Sequence, residues 1–524
     1  MNNFIKEITL REKVGQLFFP AAFINDTDEN IQALEKLIKT HNIGGLTFFH
    51  SRSSAATNYE GKKNVIHNDN SASRLKELII HYQSISKYPL LISIDAEWGL
   101  AMRVEKTPQY PYAITLGAIK NNANELIYEV GKQTAIDLKK IGIHYNLAPV
   151  IDINDNPKNP VIGYRSFGDD RIKVTRNALS YYNGMQKIGV LGCLKHFPGH
   201  GNTSVDSHLG LPVIEKTLNE LHEQELYPFK EAIKQGIDSI MVGHLAVPAL
   251  TNGKIVSATL SSEIIQDVLR NELGFNGLII SDALNMHSVS KLYPEKGALE
   301  WKAFEAGNDI LCFSENVAEG IESILKNGKK EQIDASFERL IQLKTKAKLF
   351  KNHSDNSSEN LQFDFEITSN LNQKIANETV SIFKNESLLI PLNKNKKTAI
   401  VSIYKDNTSQ FCKTIANEWN PVFMDIPKAE HLNSGKIISQ LQDFDTIVIG
   451  LFVPSIKPAN HFEIDESVLK LLEKLFMNPK VILCHFGNPY AIATLPNSEK
   501  LKNLIISYQH FDEFQIATAK LLIY

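Results

Sequence analysis

The chain has 524 residues, enough for two or three domains with at least one large core. Its 43% hydrophobic and 22% charged content is ordinary for a soluble globular protein, and a formal net charge of -3 offers no basic field, which argues against nucleic acid and anionic lipid as partners. The opening MNNFIKEITL lacks a basic stretch followed by an apolar core, and no apolar run approaches the roughly 20 residues that cross a bilayer. The expectation is a cytoplasmic protein without membrane insertion, or a periplasmic one had a signal been trimmed; the oligomeric state is not legible.

Short apolar runs, each read as a buried parallel strand, alternate with amphipathic stretches over the first 350 residues. In chain order the runs are Val14–Phe19, Gly44–Phe49, Leu90–Ile94, Tyr145–Ile151, Val190–Leu194, Ser239–Gly243, Gly277–Ser281 and Asp309–Phe313. Arg52–Ser71 is a polar insertion, read as a long rim loop. Asn124–Ile141 has helical periodicity, and Thr217–Gln235 opens as T-L-N-E, a capping-box start. Eight strand–helix alternations predict a (β/α)8 TIM-type barrel over residues 1–350, with a doubly wound open sheet as the alternative. Lys351–Phe363 is polar and lacks periodicity, and residues 351–368 are read as a linker. The rhythm then resumes at Thr398–Tyr404, Thr446–Phe452, Val481–Phe486 and Leu504–Tyr508, so 369–524 is read as a smaller α/β sandwich domain.

Barrels place their sites at the C-terminal ends of their strands. The residues that follow the runs are Asp95 with Glu97, Asp152, Lys195 with His196, His244 and Asp282. Buried charges cost free energy unless paired or used, so a ring of them at strand ends marks an enzyme without naming its reaction.

The segment Lys195–His208 reads K-H-F-P-G-H-G-N-T-S-V-D-S-H. Its histidines and aspartate bring zinc to mind, but no H-E-x-x-H is present and Lys195 repels a cation, so neither metal nor organic cofactor is expected. Lysine and imidazole donors suit sugar hydroxyls better. Asp206 and His208, two apart, share one side of an extended segment, and a carboxylate beside an imidazole makes a competent general acid near neutral pH. Asp282 ends an apolar run, where a carboxylate can attack an anomeric carbon; the alternative is a cap on the next helix. Cys193 and Cys312, inside apolar runs, read as buried inert thiols.

These blocks resemble family 3 glycoside hydrolases, in particular the β-N-acetylglucosaminidase branch. Lys195–Gly201 with Asp206–His208 is similar to that branch's signature, and Ser281–Met286 (SDALNM) to its nucleophile motif. Asn159–Gly168, Asp95–Arg103, Leu10–Phe18 and Ser381–Leu392 are similar to further blocks, in family order along nearly the whole chain. The resemblance implies a retaining exo-hydrolase with Asp282 as nucleophile, His208 as acid/base and Asp206 orienting it. It implies Asp95, Arg103, Arg165, Lys195 and His196 as sugar-binding residues, and a small carbohydrate or muropeptide substrate.

Two departures stand out. Trp98 and Leu100 replace a glycine and an arginine of the usual acidic block, and the chain ends at Ile523-Tyr524 where two-domain relatives continue to a last strand. A phosphorylase and a catalytically silent sugar-binding protein are the competing readings, with Glu97 as the alternative acid.

Overall fold

The computed structural model describes residues 7–55, 66–203, 210–350, 361–426 and 432–524. The chain divides into two compact units, one of Met1–Ala113 with Asn124–Phe365, the other of Ile114–Ala123 with Glu366–Tyr524.

In the first unit β1 (Phe18–Phe19) and β2 (Ala21–Asn25) are halves of one strand, interrupted at Pro20, which has no N–H to give to a ladder. Then come β3 (Gly45–Ser51), β4 (Leu91–Ile94) and β5 (Tyr145–Asn146). The interrupted pair β6 (Leu191–Gly192) and β7 (Leu194–Phe197) follows, then β8 (Ser239–Val242), β9 (Leu278–Ser281) and β10 (Leu311–Cys312). Every pair is parallel: β2 to β6 in order, then β7, β8 and β9. An Ile280–Ile310 bridge leads on towards β10, and Leu311 of β10 stands opposite Phe18 of β1. This is the pairing order of an eight-stranded barrel, with helices such as Asp28–His41, Ala123–Ile141 and Arg171–Ile188 between strands.

Val14–Phe19 is not one strand. Leu10–Gln16 is a helix that starts at a Thr9/Glu12 capping box, and only its last apolar residues pass into β1. The Thr217 capping box is present as expected, but the helix it opens is two pieces, Leu218–Glu223 and Leu226–Lys234. Of the polar insertion, Arg52–Ala55 is a helical turn, 56–65 lies outside the described residues, and Ser71 starts a helix.

The second unit is a six-stranded sheet. In chain order its strands are β11 (Ser381–Asn385), β12 (Thr398–Ile403), β13 (Val422–Ile426), β14 (Thr446–Phe452), β15 (Val481–Phe486) and β16 (Asn503–Ile506), in the spatial order β11-β16-β15-β14-β12-β13. All pairs are parallel except β11 with β16. The helix Phe365–Thr379 begins inside the stretch read as linker, because Leu371, Ile375 and Ala376 give it an apolar stripe to bury. Among the described residues no helix is long and apolar enough to cross a membrane.

Candidate active site

Side chains alternate along a strand, and Leu91, Leu191, Cys193, Leu278 and Ile280 all lie in one buried cluster of the barrel. Counting on in twos from them reaches Asp95, Lys195 and Asp282. The alternation that packs the core thus delivers these three ionisable groups to the same side at the strands' C-terminal ends.

Lys195 is almost wholly buried and bridges two carboxylates: Nζ lies 2.7 Å from Asp95 Oδ1 and 2.9 Å from Glu97 Oε1. Arg103 donates from Nη2 to Asp95 Oδ2 at 3.0 Å. Arg165 donates to both oxygens of Glu97, from Nε at 2.9 Å and Nη2 at 2.7 Å. Burial alone would neutralise these groups, yet the pairing prevails. Lys195 with Arg103 holds Asp95 below the usual carboxylate range, Arg165 with Lys195 does the same for Glu97, and the two carboxylates raise Lys195. Three cations face these two carboxylates, with Asp282 as a third carboxylate close by, and the N–H groups of the cations are donors suited to sugar hydroxyls. Glu97, read as an alternative acid, is unsuited to that role, because it is held ionised and accepts from two cations.

His196 follows Lys195 into a second cluster. Its Nδ1 lies 2.8 Å from Asp152 Oδ2, while the His196 and His200 amides also donate to that carboxylate. Its Nε2 is 3.4 Å from Arg165 Nη2. The His200 ring packs edge-on to His196, bonds Thr203 Oγ1 through Nδ1 at 2.7 Å, and has no partner at buried Nε2 among the described residues; burial and His196 pull its pKa down to about 4.

Asp282 sits half-buried past β9. Burial pushes its pKa up, but the imidazoles of His244 and His196, the Ala283 amide at 2.7 Å from Oδ1, and Lys195 outweigh it, leaving about 2. The carboxylate accepts from its neighbour's amide rather than capping a helix, since the next helix begins only at His287. His244, fully buried, has Nε2 3.0 Å from the Ala283 carbonyl and Nδ1 2.8 Å from Thr259 Oγ1.

Asp95, Arg103, Arg165, Lys195 and His196 therefore come together, and Asp282 feels Lys195 and His196. Asp206 and His208 lie outside the described residues. The stem before them is held by Asn159, whose Nδ2 donates to the carbonyls of His200 (2.9 Å) and Gly201 (3.0 Å). Asp152 and His244 are legible in the sequence only as strand-end charges without an assigned part, and Asn159 only as the start of the N-P-V-I block. Trp98, one of the two departures, packs on Tyr112 and Tyr164 with ring centroids 4.9 and 5.8 Å away, while Leu100 is buried. Cys193 and Cys312 are buried and free. Among the described residues no three His, Cys, Asp or Glu side chains gather as a metal site.

Residues 9–343 match the glycosyl hydrolase family 3 N-terminal domain. Beta-hexosaminidase A of Pseudoalteromonas piscicida is 34% identical over 342 residues, 60% of this chain and 55% of that protein. A beta-hexosaminidase of Nitrosomonas eutropha is 32% identical over 252 residues, 47% of this chain and 67% of that one. The chain thus spans about half to two thirds of the length of these relatives. The solved structure of a glycoside hydrolase family 3 beta-N-acetylglucosaminidase from Paenibacillus sp. str. FPU-7 superposes with a TM-score of 0.79 at 27% identity, covering 98% of this chain and 97% of that one. With well over half of its length inside the family match, this chain belongs to glycosyl hydrolase family 3.

Proposed function

We propose that this chain is a retaining exo-β-N-acetylglucosaminidase that removes terminal N-acetylglucosamine from cell-wall muropeptides or chitin fragments. The observation that carries the reading is the placement of the Asp282 carboxylate just past the C-terminal end of β9, within the field of Lys195 of the Asp95–Lys195–Glu97–Arg165 network. The names of the relatives and of the solved neighbour support the sugar.

In the first step His208 gives its proton to the glycosidic oxygen as Asp282 attacks the anomeric carbon, releasing the aglycone and leaving a glycosyl ester on Asp282. His208, now neutral, takes a proton from water, whose oxygen displaces Asp282 and releases the sugar with its configuration retained. Asp206 favours the cationic form of His208. Asp95, Arg103, Arg165, Lys195 and His196 hold the terminal sugar, and the network fixes their side chains before it arrives.

The test is turnover of an aryl N-acetylglucosaminide against the matching glucoside, with a 2-fluoro or 5-fluoro sugar to trap the ester. The acetamido sugar should be preferred and the label should fall on the peptide carrying Asp282; equal cleavage of the glucoside refutes the sugar, and a label elsewhere refutes the nucleophile. Sugar phosphate formed in phosphate buffer would make the enzyme a phosphorylase.

A further inference from the structure

Asp152 has no part in the reading above, yet its side chain is fully buried beside the sugar-binding groups. Its oxygens accept from the His196 amide (3.1 and 3.2 Å), the His200 amide (2.8 Å) and His196 Nδ1 (2.8 Å). An ionised carboxylate only accepts, so Nδ1 must carry the ring's proton. Across the ring the neighbour is the opposite kind. Arg165 only donates; one hydrogen of Nη2 goes to Glu97 Oε1 at 2.7 Å, and the other faces His196 Nε2 at 3.4 Å. Donors and acceptors thus run one way, from Arg165 through the imidazole to Asp152. The other tautomer would set a lone pair against the carboxylate and an N–H against the guanidinium.

We propose that Asp152 is a positioning residue: it fixes His196 as the Nδ1–H tautomer, so that Nε2 accepts from Arg165 and keeps that guanidinium aligned to bind the sugar. The proposal rests on the sugar-binding role given above to Arg165 and His196. The hydrogen that Arg165 Nη2 turns towards Nε2 leaves that nitrogen as the acceptor and Nδ1 as the donor. An amide at position 152 loses this control, because it can also donate to Nδ1 and turn Nε2 into a donor aimed at Arg165. The loss then falls on sugar binding, through Arg165.

The experiment is a double-mutant cycle with Asp152→Asn, His196→Phe and the pair, on the aryl glycoside the wild type cleaves best, with thermal denaturation to establish folding. Asp152→Asn should lower kcat/KM by about tenfold or more, chiefly through KM. In the His196→Phe background it should cost no more than about threefold further, because its route is already gone. Losses that multiply overturn the proposal, as does a loss confined to kcat. The ring's tautomer can also be read in the wild type from its nitrogen NMR shifts, the signal being assigned by its disappearance in His196→Phe. This second measurement serves if Asp152→Asn does not fold, and Nε2–H would overturn the proposal. Preference for the plain glucoside would sink the proposed function but leave the cycle readable. If no glycoside is cleaved, the NMR measurement still decides the proposal.

Discussion

Lys344 gives the sharpest physical test, because it lies away from the chemistry. It belongs to the helix Lys330–Lys346, is 1% exposed, and donates at 2.7 Å to Gln16 Oε1 and to the Pro89 carbonyl. Pro89 precedes β4, so this is the end of the strands opposite the site. Burial lowers the lysine from an ordinary 10.5 to about 7. In the unfolded chain the group keeps its proton up to about pH 10.4. Below pH 7 both states are protonated and the folded state bears the whole penalty, roughly 5 kcal/mol at 1.36 kcal/mol per pKa unit. Between pH 7 and about 10.4 the unfolded state binds more protons, so stability rises with pH and the penalty fades; at pH 9 about 2 kcal/mol remains. Lys344→Met removes the penalty but strands two buried acceptors at about 1 kcal/mol each. The variant should therefore be more stable by about 3 kcal/mol at pH 6, near 4 °C in the barrel's melting point, and about neutral at pH 9. Melting curves of both proteins at the two pH values make the comparison, with turnover expected to change less than about twofold. A variant that melts lower by the same amount at both would mean that the amine is charged in the fold and that its bonds outweigh its burial.

Asp282→Asn should lower turnover by about 10³-fold or more with the melting point held, since it removes the proposed nucleophile and not a packing group; stopped-flow or long incubation against the wild type reads it. His208→Ala should lose more on a glycoside with a poor leaving group than on an activated phenolic one, because only the former needs the proton; azide should restore the second step by forming a glycosyl azide. Asp137, which accepts from the Tyr110 hydroxyl, has its pKa pushed up by burial to about 6. The folded state then binds more protons between roughly pH 4 and 6, so the penalty is full above pH 6, and Asp137→Asn should stabilise by about 2–3 kcal/mol at pH 8 and not at pH 4. Urea midpoints at the two pH values check it.

Both missed strands of the second unit show what an apolar-run reading can see. The strands it found there, β12, β14, β15 and β16, are buried throughout or nearly so, and their residues stand out as unbroken runs. The two it missed, β11 and β13, are the two edges of the sheet. In Ser381–Asn385 only Ile382 and Phe383 are apolar before Lys384, and in Val422–Ile426 three apolar residues meet Asp425, so neither edge strand forms a run long enough to stand out. The joining of Ile114–Ala123 to the second unit had no local signal, because it depends on contacts with residues about 260 or more positions away, such as Glu378 and Gln509.

The first strand failed for a different reason. The Thr9–Glu12 stretch carries the same T-x-x-E capping pattern as Thr217–Glu220, yet the apolar run Val14–Phe19 overlaps the helix that this cap opens. Burial explains the confusion: Val14, Gly15 and Gln16 at the helix end are as buried as Phe18 and Phe19 in the strand, so hydrophobicity does not change where the geometry does. The chemistry was more legible than the elements, and for a related reason. A charge that follows a wholly buried run has little choice but to be paired or used, and strand alternation fixes which way it points. Asp95, Lys195 and Asp282 could therefore be picked out from their place after the runs. Asp152 could be picked out too, but not its work, because the sequence holds no trace of the Arg165 hydrogen that faces the far side of His196. Pairing of a donor on one element with an acceptor on another is a property of the folded barrel. It is there that a strand-end carboxylate becomes a device for choosing a tautomer.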